Sequence, residues 1–236
     1  MSLTYTISKE VFEKFPDYCR GVVVARGVRN GKSPIELRER LKAAEVELRS
    51  RLSLETLLDN PNIRAWREAY RSLGVKPADY RPSVEAMVRR ILKNDPLPSI
   101  NAIVDIGNLL SIRHLTPVGA HAIDVLECNI ELRWATGEET FEPFGSEAVE
   151  HPDPGEVVFA ELNTVLTRRW TWRQAKHTLV VPETTSVEVN VDGLPPVTQA
   201  EVGEICKQAV ELLQHYCGGV FRYEILSAAN PRMTLD

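Results

Sequence analysis

Three polar side chains stand at helical spacing in the run Ser99-Ile100-Asn101-Ala102-Ile103-Val104-Asp105-Ile106-Gly107-Asn108: Asn101, Asp105 and Asn108. Residues three and four apart share one face of a helix. Short amide and carboxylate side chains compete with the helix backbone for hydrogen bonds, so three of them together cost helix propensity. Two uses offset that cost: tertiary hydrogen bonds that fix the following turn, or a wall for a polar ligand. The residue types do not choose between them. His121 follows at the mouth of the turn Pro117-Val118-Gly119-Ala120, where an imidazole can hold a water or an ester, or belong to the interior. The segment Arg168-Arg169-Trp170-Thr171-Trp172-Arg173-Gln174 sets indole faces beside guanidinium and amide donors. That combination suits stacking and the holding of phosphate or carboxylate. It also fits a strand with Trp170, Trp172 and Gln174 on one side and Arg169, Thr171 and Arg173 on the other. Arg81 precedes Pro82, so its backbone is biased towards extended. From that junction its side chain reaches a cleft or pairs with a carboxylate.

Other chemistries find no support. There is no G-x-S-x-G, no P-loop and no glycine-rich dinucleotide fingerprint after a strand. Cys19, Cys128, Cys206 and Cys217 form no C-x-x-C pair and no Cys/His cluster of metal-ligand spacing. No metal and no cofactor is expected, and the thiols are read as reduced, mostly buried and cytoplasmic. No apolar run approaches the roughly 18–20 residues that cross a bilayer. The start Met1-Ser2-Leu3-Thr4-Tyr5 has neither the basic nor the apolar region of a secretory leader.

The net charge of −5 argues against indiscriminate nucleic-acid binding. The charge is unevenly spread, however. Residues 64–93 hold eight cations against three carboxylates, and residues 131–161 hold nine carboxylates against Arg133 alone. A basic stripe ending in Arg89, Arg90 and Lys93, with Arg168 and Arg169 beyond it, suits selective contact with an RNA backbone. Solvated helix faces would look the same.

The elements that position these residues follow from period and punctuation. The first thirty residues read as strand, short helix and strand, with Gly21-Val22-Val23-Val24-Ala25 a buried strand. Ser33-Pro34-Ile35-Glu36 has capping-box spacing, Asn60-Pro61 opens the next helix, and Tyr80-Arg81-Pro82-Ser83 leads into another. Ser99 is the expected cap of the central helix. From Gly119 the period changes to two. Strands are expected at 123–126, 130–134, 156–160, 177–181 and 186–191, the first two paired and the last with one wet face. Thr198-Gln199-Ala200-Glu201 is a second capping box, Gly218-Gly219 ends its helix, Phe221–Leu226 follows as an edge strand, and the tail after Ser227 is expected to be loose. This is an α+β arrangement with helices packed on a mixed or mostly antiparallel sheet. It is read as a single domain, 1–236, with a strand-helix extension 1–59 on a core 60–226.

The chain resembles the B3/B4 domain of the phenylalanyl-tRNA synthetase beta subunit. The family's I-N-x-x-V-D-x-x-N run corresponds to Ile100, Asn101, Val104, Asp105 and Asn108, and its H-A-F-D to His121-Ala122-Ile123-Asp124. The likeness is closer to free-standing proteins made of this domain, through Tyr80-Arg81-Pro82-Ser83, Leu97-Pro98-Ser99-Ile100-Asn101 and Arg168–Gln174. It runs from about residue 60 to 215. The resemblance implies a B3/B4-like fold and an editing activity: hydrolysis, in trans, of the ester of a mischarged aminoacyl-tRNA. His121 would line the pocket and orient water or the ester, with Asn101, Asp105 and Asn108 supporting its wall. Arg81, Trp170, Trp172, Arg173 and Gln174 would contact substrate, and Arg89, Arg90, Lys93, Arg168 and Arg169 the RNA. The family's pocket also has a glutamate after a Gly-Gly pair that reads the tyrosine hydroxyl. The stretch Arg168–Thr178 has neither, and leaves Gln174 or Arg173 near that place. The alternative is a non-catalytic module that binds tRNA or a small amino-acid-like ligand.

Overall fold

The valine run becomes the middle of strand β2 (Cys19–Arg26), buried on both faces up to Ala25. The computed structural model describes residues 2–146 and 148–236; Met1 and Glu147, one of the carboxylates of the acidic stretch, lie outside them. Here β2 sits between β8 (Ser186–Gly193) and β9 (Val220–Leu226), and β3 (Val118–Ala122) lies beyond β8. All neighbours in this four-stranded sheet are antiparallel. A six-stranded sheet has β10 (Arg232–Thr234), β1 (Thr4–Ile7), β4 (Ile130–Trp134), β5 (Val157–Glu161), β6 (Thr164–Arg168) and β7 (Arg173–Gln174) side by side in that order. It is mixed, because β1 runs parallel to β4 while the other pairs are antiparallel. The α+β class with helices on a mixed and an antiparallel sheet is therefore the fold.

Helices α5 (Ala102–His114) and α6 (Gln199–Cys217) pack on the four-stranded sheet, and α2 (Ile35–Arg51) and α4 (Ser83–Leu92) pack on α5. Their apolar stripes meet Val23, Val189 and Val191 in one core. Each large aliphatic side chain buried there contributes about 1.5–3 kcal/mol. At Gly21 α6 comes so close that a Cβ would lie 2.2 Å from the Cys206 sulfur. The opposite face of that sheet meets the six-stranded sheet through Val22, Val24, Tyr5, Leu132 and Phe159, with α1 (Lys9–Lys14) and α3 (Pro61–Ser72) at the side. A smaller cluster around Phe141 and Val158 lies beneath the acidic loop. The order is thus helices, sheet, sheet, loop, and the inter-sheet layer is where polar groups collect.

Several expectations change. Residues 1–59 are no appendage: β1 and β2 each lie between two other strands, one in each sheet. The tail is ordered as β10 on β1, with Leu235 N donating to Leu3 O at 2.8 Å. Residues 123–126 form no strand; β3 ends at Ala122 before them and does not pair with β4, because the two join different sheets. Residues 177–181 form no strand. Strand β8 has no wet face, since both its faces are covered. Asn60 and Thr198 cap as expected, the latter in a full capping box. Ser33 and Ser99 do not cap; both hydroxyls donate to Asp105 Oδ2, at 2.6 and 2.5 Å. A fully buried carboxylate needs such donors, and the cap of α5 passes to Asn101, whose side chain accepts from Val104 N. No helix among the described residues is long and apolar enough to cross a membrane.

Candidate functional site

Strand β8 alternates Val187, Val189 and Val191 with Glu188, Asn190 and Asp192. The valines enter the helical core. The polar set points the other way, into the inter-sheet layer, along with Arg20 of β2 and Gly119 and His121 of β3, which are its register partners. A cavity of about 200 Å³ opens there. It has the scale of cavities that accept a small ring compound, about 150 Å³ for benzene. Its polar lining comes from Arg20, Asn108, His121, Thr167, Asn190 and Asp192, and its apolar lining from Met87, Phe159, Trp170 and Trp172 among others.

The floor is an ion pair. Arg20 Nε donates to Asp192 Oδ1 at 2.6 Å and to the Tyr18 hydroxyl at 2.9 Å, and Nη1 donates to the Tyr5 hydroxyl at 2.6 Å. The Tyr18 hydroxyl in turn donates to Asp192 Oδ1. Burial pushes both phenols well above their ordinary pKa, so they remain protonated. Burial works against the Arg20 charge, but Asp192 beside it holds the guanidinium protonated.

His121 is 4% exposed and packs edge-on against Phe159 at 5.1 Å. Burial, then the charges of Arg20 and His177, push its pKa down to about 3. It is a neutral imidazole at neutral pH. Nδ1 lies 3.3 Å from the Gln174 amide nitrogen and 2.6 Å from the Thr178 hydroxyl, and Nε2 lies 3.1 Å from Thr167 Oγ1. The Gln174 amide nitrogen carries two protons and also reaches Ala120 O at 3.0 Å and Thr178 O at 3.2 Å, so either ring tautomer fits these partners. Across the strand, burial pushes the Glu188 carboxyl up to about 8, with Arg20 opposing. One of its oxygens accepts from Asn190 Nδ2 at 2.9 Å; the other is sealed without a partner among the described residues.

The residues singled out from the sequence divide. Asn108, His121, Trp170, Trp172, Arg173 and Gln174 come together around the cavity. Asn101 and Asp105 do not: Asn101 caps α5 and its amide donates to Val180 O at 2.8 Å, while Asp105 gathers Ser33, Ser99 and Ile100 N. Of the two uses open to that helical face, they serve the tertiary one. Arg81 is exposed, with Ser83 rather than Arg81 at the cavity.

Arg168 and Arg169 are buried and cannot meet RNA as expected. Arg168 forms a two-point pair with Glu156 at 3.0 and 2.7 Å and reaches Glu150 at 2.9 Å. Arg169 reaches Asp153 at 2.7 Å and lies 3.7 Å over the Tyr80 ring. The alternating-strand reading of this segment fails for a local reason. Arg169 and Trp170 both have positive φ, 44° and 66°, and turn the chain between β6 and β7. Such residues cost about 1–3 kcal/mol each. The bonds from Arg169 N to Glu156 Oε1 and from Trp170 N to Val157 O hold them there. Within the basic stripe, Arg89 pairs with Glu85 and Arg90 with Asp95, while Lys93 is exposed.

Arg20, Asn190 and Asp192 were missed. The signal was available: one arginine inside a valine strand needs a buried partner, and a polar-alternating strand can hide its polar face against a second sheet.

The profile of the B3/4 domain family matches residues 65–218. No curated protein matches. Among solved structures, an N-terminal fragment of the phenylalanyl-tRNA synthetase beta subunit from Pyrococcus horikoshii is similar at 12% identity and TM-score 0.49. The alignment covers 94% of this chain and 51% of that one, so the chain spans about half the length of that fragment.

Proposed function

The chain belongs to the B3/4 domain family, and on that premise we propose that it binds tRNA and hydrolyses the ester of a mischarged aminoacyl-tRNA in trans. The observation that carries this reading is the cavity in the inter-sheet layer, with neutral His121, Asn108 and Thr167 at its polar side and Trp172 and Met87 at its apolar side. Ester hydrolysis adds water to the acyl carbon and breaks its bond to the ribose oxygen. The proton from the water passes to that oxygen, leaving a free amino acid and uncharged tRNA. The reaction needs a held water, donors for the developing oxyanion and a side-chain pocket, and no nucleophilic residue of the protein. With a pKa near 3, His121 serves as a hydrogen-bonding group that orients water or ester, not as a carrier of charge. Arg81 and Lys93, exposed and without an ion pair to a described residue, are the cations offered to the RNA backbone. The working unit is the whole chain, since Arg20 from β2 completes a cavity otherwise built from later residues.

One observation favours binding without hydrolysis as the second reading. Both His121 ring nitrogens already have protein partners. The test is deacylation of a panel of correctly and incorrectly charged tRNAs by wild type and His121→Ala. Loss of one mischarged species, abolished in the variant while tRNA binding persists, is the expected result. No hydrolysis above the buffer rate for any species would leave the binding module.

A further inference from the structure

We infer that the buried Arg20–Asp192 pair is the specificity element of the cavity. It selects a ligand whose inserted group is polar and uncharged, a hydroxyl or primary amide on an amino-acid side chain. This rests on the aminoacyl reading above and names the class of side chain that reading leaves open.

The two residues face each other across β2 and β8, 2% and 1% exposed, and both line the cavity. Their contact is a single bond through Nε. Asp192 Oδ1 takes Arg20 Nε and the Tyr18 hydroxyl, and Arg20 Nη1 takes the Tyr5 hydroxyl. Arg20 Nη2 and Asp192 Oδ2 have no partner among the described residues, and neither atom is sealed from solvent. The floor therefore presents one spare charged donor beside one spare charged acceptor.

That arrangement discriminates by chemistry. An apolar group would bury both atoms unpaired, which is the costly outcome for polar groups in an interior. A cation would meet Arg20 and an anion would meet Asp192, while the pair as a whole is neutral. A hydroxyl or primary amide accepts from Arg20 and donates to Asp192 at once. Asn190 supplies a further acceptor. Its Nδ2 is committed to Glu188, and its Oδ1 sits over Gly119, where a Cβ would come within 3.0 Å. Glycine at 119 leaves that carboxamide its place. Sites built to bond a hydroxyl reject the analogue lacking it far better than apolar pockets reject an extra methylene.

The test uses the full chain and adenosine carrying an amide-linked, non-hydrolysable aminoacyl group at its 3′ position. Pairs that differ in the polar group are compared by calorimetry: threonine with valine, serine with alanine, tyrosine with phenylalanine. The polar member of at least one pair is expected to bind tenfold or more tightly, with the preference shrinking below threefold in Asp192→Asn. The wild-type comparison stands alone if that variant does not fold. Apolar members binding as tightly as their polar partners in every pair would overturn the inference and leave the aminoacyl reading intact. Binding of none of them would overturn the aminoacyl reading itself, and the inference with it.

Discussion

Two of the buried arginine–carboxylate pairs among the described residues, Arg168–Glu156 and Arg20–Asp192, are built differently. Arg168 meets Glu156 through two parallel bonds, spends its remaining nitrogen on Glu150, and leaves the second carboxylate oxygen no freer, since Glu156 Oε1 also takes Arg169 N. Arg20 meets Asp192 through one nitrogen and one oxygen, with the Tyr18 hydroxyl bonded to both residues and the Tyr5 hydroxyl on Nη1. Both pairs carry the desolvation cost of burying charge. Only the first returns every bond to the protein. A saturated pair is a latch, here fastening the Arg168–Gln174 turn to the loop at 150–156. An unsaturated one beside a cavity keeps bonding capacity in reserve for something that arrives later.

The largest effects should come from breaking either pair. Arg168→Met takes from the buried Glu156 its two-point partner, leaving it Arg169 alone, and is expected to cost about 3 kcal/mol in urea unfolding. Restoring an apolar match with Glu156→Leu should recover most of that. Arg20→Met strands Asp192 and should cost about 3 kcal/mol. Here the double variant with Asp192→Leu should regain stability yet lose the preference for the polar member in whichever analogue pair the wild type shows it. If it kept that preference, the contrast between the two pairs would collapse.

A smaller effect separates the polar layer from the rest by pH. The folded-state pKa of Glu188 lies near 8, above its ordinary value of 4.5. Its contribution to stability is full below 4.5 and is lost as pH rises through about 8, because the native state holds the proton that the unfolded chain releases. Glu188→Gln should be more stable than wild type at pH 9 by at least about 1 kcal/mol, with the gap closing towards pH 4. Equal pH profiles from thermal unfolding would count against a protonated carboxyl beside His121. The smallest effect belongs to the surface. Arg81→Ala should change stability by no more than about 0.5 kcal/mol. It should lower the salt slope of tRNA binding by about 1, whereas Arg168→Ala should leave that slope alone.

What the sequence disclosed follows from where each signal lives. Helices carry their evidence locally. Asn60 and the Thr198–Glu201 box announce their starts, and of the stripe Ile100, Ile103, Val104, Gly107 and Leu110 the structure puts Ile103 and Leu110 in the core and leaves Ile100 exposed. Strand partners are set at long range, so 123–126 and 130–134 read as a pair, although 123–126 form no strand and β3 before them serves a different sheet from β4. The site was half legible for the same reason. Asn108, His121, Trp172 and Gln174 lie in contiguous motifs. Arg20 and Asp192 are 172 positions apart, and each looks unremarkable alone. The serines at 33 and 99 were read as caps because capping is the common local use of a serine before a helix. A buried carboxylate at Asp105 outcompeted it.

The placement of β2 has a consequence in time as well as in space. This strand finds its neighbours only in β8 and β9, so its hydrogen bonds close loops of more than 150 residues. Such pairings come late and slowly, because chain entropy must be lost before the contacts form. During synthesis the valine run leaves the ribosome well before β8 and β9 and waits unpaired until they arrive. The cavity floor is therefore among the last parts of the protein to exist, and no fragment lacking either β2 or β8 can carry it.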